Sequence, residues 1–175
     1  MIIKYIISYL FWFSWSIIVG GLLIAGPILA PLAFNTMPLT VSAEIAHYAH
    51  SYSSTLFTLF FVSYLPIVAV VFVIITVLEQ IALYNKWREQ KLITVITEIL
   101  LLVGNIIWIW LAILIVPEME SMVMSTKTWN DFSVREAFTI LHLQSQTLSE
   151  IGLGVTLILP WFSRISRIGF ASLAN

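Results

Sequence analysis

Three groups of side chains in this sequence have types and spacings that could do chemistry. His142, Ser145, Gln146, Ser149 and Glu150 recur at i, i+3, i+4, i+7 and i+8, which is one face of an α-helix. An imidazole, an amide, hydroxyls and a carboxylate in line could pass a proton or a cation from His142 through Gln146 to Glu150. The same residue types also serve as hydrogen-bonding glue between membrane helices, worth about 0.6 kcal/mol each. The second group is Glu98 and Asn105, with Thr94 one turn from Glu98. The third is Glu44, His47 and His50, spaced every three residues, with Glu118 and Glu120 following Pro117. Carboxylates and imidazoles suit Zn, Cu, Fe or Mn, although structural zinc sites normally use Cys and a solvated helix surface has the same composition.

Composition says what must surround these groups. Of 175 residues, 60% are hydrophobic and only 10% charged, and the mean hydropathy is +1.00. Soluble domains carry about 25% charged residues, so a water-soluble globule is excluded and an integral membrane protein remains. Eight basic and nine acidic side chains supply no basic stripe for phosphates, which argues against nucleic-acid partners. No glycine-rich nucleotide motif is present. With no cysteine, disulfides and thiolate metal sites are excluded.

Four stretches are long enough to cross a hydrocarbon core of about 30 Å: residues 5–29, 56–78, 92–116 and 137–160. They predict a single all-α domain over 1–175, an up-down bundle of four transmembrane helices, with 161–175 a short cytoplasmic-side tail. Lys4, Lys86, Arg88, Lys91, Arg164 and Arg167 fall on one side of this arrangement and only Lys127 and Arg135 on the other, which places both termini inside. A more polar lead-in, Ser42 to Thr55, precedes the second span without a Pro or Gly break, so that helix is expected to extend on the outer side. Pro66 is expected to kink it, and Pro117 to end the third span. Ser16 with Gly20, Gly21 with Ala25, and Gly152 and Gly154 are the expected close contacts, because small residues let helices approach.

Ionisable groups at membrane depth need named partners. With Gly104 and Leu148 taken as the midpoints of their spans, Glu150 lies near the depth of Asn105, and an Asn105–Glu150 hydrogen bond is expected. Glu98 lies about 9 Å to the cytoplasmic side of Gly104. A b-type haem would need two imidazoles at one depth. His142 is about 9 Å from its span's midpoint while His50 is about 25 Å from Ile67 at the middle of its own, which disfavours haem ligation by His47 or His50 with His142.

Arg135, Phe138, Leu141, His142, Ser145 and Leu148 together resemble the R-x-x-F-x-x-L-H-x-x-S-x-x-L pattern of the DUF4149 family, which includes the transmembrane protein 205-like proteins. Ala30-Pro31 followed by Phe34 resembles that family's motif after its first helix, and Val116-Pro117-Glu118 the proline that closes its third. The Glu44, His47 and His50 group is a departure from it. The resemblance implies a four-helix membrane protein with no established enzymatic reaction, some of whose relatives are associated with resistance to platinum compounds. It singles out Pro31, Phe34, Pro117, Phe138, His142 and Ser145.

No nucleophile, acid–base pair or cofactor motif stands out, so a catalytic role is not expected. The chain reads as a non-enzymatic accessory or structural subunit of a larger membrane complex in a bacterial inner membrane or an organellar inner membrane, with lipid and other subunits or further copies of itself as partners. Two alternatives stay open: a small carrier using His142, Gln146 and Glu150, and a protein binding a transition metal or haem b.

Overall fold

In a bilayer the backbone of a long apolar run finds no hydrogen-bonding partner outside the protein, so it bonds to itself as helix. The computed structural model describes residues 2–24, 43–84, 91–124 and 132–166; for 43–61 and for residues 123, 124, 132 and 135 it describes the backbone alone. Among the described residues all but Ser163 are helical. The elements are α1 (Ile2–Leu23), α2 (Ala43–Tyr84), α3 (Lys91–Trp110), a π-helical turn (Leu111–Ile115), α4 (Val116–Met124) and α5 (Phe132–Phe162).

Three stretches, Ile2–Leu23, Val62–Tyr84 and Lys91–Met122, are long and apolar enough to cross a membrane. With 31 residues, α5 has the length, but Gln144, Gln146 and Glu150 in its middle dilute its apolar character below that of the other three. The expected lead-in to the second span is helical from Ala43, and α2 runs unbroken for 42 residues, through Pro66.

Around the bundle the neighbours are α1 with α2, α2 with α3, α3 with α5, and α5 with α1. Cross-links give the directions. Ser8 meets Ile165 while Trp15 meets Thr156; Thr76 meets Asn105 while Gln80 meets Glu98. Each of these pairs of helices is therefore antiparallel. Phe11, Ile18, Leu65, Phe72, Trp108 and Leu159 fill the interior, while large apolar side chains such as Tyr9, Val70, Leu102 and Leu143 face outward on all four long helices. That outer surface suits lipid or other protein, not water.

The helical rod that begins with α3 does not end at Pro117 but continues through the π turn into α4. A proline lacks the N–H that an α-helix would bond four residues back, and here the preceding turn opens, with the Val116 N–H bonding Leu111 O. Pro117 then stands in the first turn of α4, where a missing N–H costs nothing.

The expected close contacts are corrected in part. A Cβ on Gly152 would lie 2.7 Å from the Trp108 ring, and Cβ atoms on Gly21 and Gly104 would overlap Tyr64 and Phe72, whereas Gly20 and Gly154 face open space. The buried face of α1 runs through Phe11, Ser14, Ile18 and Leu22; Ser16 is exposed and Gly20 is off that line. Ala25 lies outside the described residues.

The register of α3 against α5 also differs from the expected one. Thr97 is level with Phe162, to whose carbonyl it bonds, and Trp108 is level with Gly152. Gly104 is therefore level with about residue 155, roughly two turns from Leu148.

Candidate functional site

At one end of the bundle, α5 stops and its last carbonyls need partners. Ser163 leaves the helix and caps a single further turn: its Oγ accepts from the backbone N–H groups of Ile165 and Ser166, both at 3.1 Å, the usual geometry of a serine N-cap. The hydroxyl of Ser166 turns back to Pro160 O and Ser163 O. Thr97 of α3 donates to Phe162 O at 2.9 Å, and Ser8 of α1 donates to Ile165 O at 3.4 Å.

Into this turn α2 inserts Glu79, which is 0% exposed. Its carboxylate accepts from the Ser163 hydroxyl and from the backbone N–H groups of Arg164 at 3.3 Å and Ile165 at 3.4 Å. The Arg164 guanidinium, 2% exposed, lies between two glutamates: Nη1 is 3.8 Å from Glu79 Oε2, and Nη2 is 3.4 Å from Glu98 Oε1. Nη1 also donates to Glu79 O, and the buried Nε has no partner. Gln80 donates to Glu98 Oε2 at 2.7 Å, closing a chain from Gln80 through Glu98, Arg164 and Glu79 to Ser163. All four long helices thus grip residues 163–166. One guanidinium between two carboxylates leaves a formal charge of −1 for the group. Arranged this way it can lock the bundle: removing Arg164 would strand the buried Glu79, and removing Glu79 would leave Arg164 with Glu98 alone.

Arg164, read from the sequence as part of the cytoplasmic-side tail, is a buried ion-pair partner. Glu98 bonds Gln80 and Arg164 from the neighbouring elements. Sequence reasoning missed Glu79 because it follows directly on an apolar run and reads as a helix end. The available signal was that the apolar residues resume after it, at Ile81, Ala82 and Leu83.

On α5 the structure places His142, Gln146 and Glu150 on the outside of the bundle, with Ser145 and Ser149 half-buried beside them. The inner face of the helix is Gly152, Thr156 and Leu159. Gln146 Nε2 donates to Glu150 Oε1 at 3.2 Å, and the His142 ring stacks on Phe138 with centroids 6.1 Å apart. The expected Asn105–Glu150 bond does not form. Asn105 donates to Thr76 Oγ1 at 2.7 Å and to Leu101 O at 2.8 Å, while the register puts Glu150 about 6 Å farther along the bundle and facing away.

Glu44, His47 and His50 lie on the part of α2 for which only the backbone is described; Glu118 is exposed and Glu120 half-buried on α4. Among the described residues no three His, Asp or Glu side chains gather closely enough to hold a metal. For haem, His50 lies 29 residues from Glu79 and His142 lies 21 from Ser163, so their depths differ by about 12 Å.

No family model, curated protein or solved structure matches the chain. Of the motif positions, Pro31 and Phe34 lie outside the described residues, Pro117 follows the π turn, and Phe138 and His142 form the ring stack.

Proposed function

We propose that this chain is a non-enzymatic helical subunit of a larger membrane assembly, with four spans, both termini on the cytoplasmic side, in a bacterial inner or an organellar inner membrane. The observation that supports it is the outward-facing line of His142, Gln146 and Glu150 on α5. A core of about 30 Å, measured outward from the level of Glu79 and Ser163 at 1.5 Å per residue, ends near residue 59 on α2, 117 on α4 and 143 on α5. Glu150 then sits about 20 Å into the membrane. A charged side chain facing lipid costs about 2.5–3.5 kcal/mol at the centre of a spanning helix and less toward its ends, and a covering protein surface with hydrogen-bonding groups offsets that cost. The resemblance to the DUF4149 family, through Phe138, His142 and Ser145, agrees with a four-span protein without an enzymatic reaction.

A proton or cation path along His142, Gln146 and Glu150 would run between this chain and its neighbour, since the line is on the outer surface. Native mass spectrometry from lipid nanodiscs tests the subunit reading. Wild type is expected to leave the membrane with bound protein, and Gln146→Leu combined with Glu150→Leu to leave as a folded single chain. A wild-type chain that is monomeric in its native membrane would overturn the reading.

A further inference from the structure

We propose that α3, its π turn and α5 hold an ordered water between them at mid-membrane, bound by Trp108, Ser149 and the carbonyl of Ala112. The site belongs to the single chain and is independent of the subunit reading. The Trp108 side chain is 0% exposed, and its Nε1 has no hydrogen-bond partner among the described residues. Trp15 shows how such a group is satisfied elsewhere in the bundle. Its Nε1 donates to Thr156 O at 2.7 Å, a carbonyl that Pro160 leaves without its α-helical donor. Lipid offers an indole N–H no acceptor in the hydrocarbon. With the core running from about residue 97 to about residue 117 on this rod, Trp108 stands near its middle.

Two acceptors lie on the outer side of the ring, one on each helical rod. In the π turn the Val116 N–H is taken by Leu111 O. Ala112 O would turn to Val116 in an α-helix or to Pro117 in a π-helix; the first is engaged and the second has no N–H. On α5, Ser149 is half-buried and shares a face with Gly152 and Thr156 at i, i+3 and i+7. Gly152 fixes the register, because a Cβ there would lie 3.0 Å from Cε2 of Trp108, the ring atom bonded to Nε1. From that level Ala112 is about 6 Å farther out along its rod and Ser149 about 4.5 Å farther out along α5. Such a gap is too long for a direct bond from the indole and suits one bridging oxygen. Water fits the three groups by type. It accepts from Nε1 and gives its two protons to the Ser149 hydroxyl oxygen and to Ala112 O, and about three bonds are usual for a buried water. Membrane helices tolerate proline through this combination, a π adjustment with ordered water on the freed backbone group.

Nuclear magnetic resonance of the full chain, with isotope-labelled tryptophan side chains in nanodiscs of deuterated lipid, reads water contact at each indole. The Trp108 Hε1 signal is identified by its contact with Gly152 and is expected to show a cross-peak to water. Trp15, bonded to a carbonyl, is expected to show none. Ser149→Ala removes one of the three partners and is expected to weaken the Trp108 cross-peak about threefold or more, with thermal unfolding unchanged as the control for folding. A Trp108 Hε1 without a water cross-peak would overturn the proposal. So would a cross-peak that Ser149→Ala leaves at full strength, since the water would then be held by other groups. Equal cross-peaks at Trp15 and Trp108 count against it as well, because the signal would then report general exchange and not a bound molecule.

Discussion

Glu79 and Glu150 are glutamates on long helices of one bundle, and they meet opposite surroundings. Around Glu79 the fold supplies a hydroxyl, two backbone N–H groups and a guanidinium, all from residues 163–165. Around Glu150 the described residues supply one amide, from the same helix, and leave the carboxylate on the outside. The first arrangement is complete within one molecule. The second has a single hydrogen bond among the described residues and stands on an exposed face. On the subunit reading proposed above, the inward group serves stability and the outward one serves assembly.

The widest separation between the two regions is expected from Glu79→Ala. It leaves the buried Arg164 guanidinium with only the half-exposed Glu98, a change that costs about 3–5 kcal/mol when a buried pair is broken from one side. Unfolding of the purified protein in mixed micelles reads it. Replacing both partners, Glu79→Leu with Arg164→Met, should recover much of the loss, and a double variant as weak as the single one would mean the site does more than balance charge. Next in size is overfilling: Gly104→Leu drives a side chain into the Phe72 ring at about 1–3 kcal/mol. Gly154→Ala, which meets open space, should unfold like wild type.

Ser163→Ala is expected to cost about 1 kcal/mol, the usual value of a lost N-cap, and is measured the same way. The smallest effect on the single chain belongs to the other region. Glu150→Gln should shift unfolding of the monomer by less than about 0.5 kcal/mol, while analytical ultracentrifugation in detergent shows a change in association. If instead Glu150→Gln destabilises the monomer as strongly as Glu79→Ala, the distinction between the two regions fails.

The helices were legible because length and apolar content specify them almost alone. Residues 56–78 and 137–160 lie inside α2 and α5, and the lead-in was foreseeable because nothing between Ser42 and Thr55 breaks a helix. The helix passes Pro117 because the turn before it widens, and that option leaves no mark in residue type. The polar site was mostly not legible. Periodicity puts His142, Gln146 and Glu150 on one face, but whether that face turns inward depends on which residues compete for the interior. Gly152, Thr156 and Leu159 occupy it, since a glycine there lets Trp108 approach. Midpoints of apolar runs could not supply the register, because α3 and α5 extend by different amounts past the Thr97–Phe162 contact. Glu79 and Arg164 are separated by the whole second half of the bundle, and no local pattern links them.

That separation has a consequence for the order of events during synthesis. Glu79 precedes Ser163 by 84 residues. At about 5–20 residues per second, its carboxylate waits roughly 4–17 s for the turn that receives it. Through that interval α1, α2 and α3 are already made, yet the acid that will be most deeply enclosed has neither its counter-charge nor its backbone donors. An apolar span ending in such an acid is easily held with its end at the headgroup level, so Glu79 is expected to stay in contact with water until residues 163–165 arrive to enclose it. Translation intermediates stalled between residues 84 and 160 should therefore leave Glu79 open to a water-soluble carbodiimide that the finished chain excludes. The last contact made, rather than the first helices inserted, would then be the step that closes this end of the bundle.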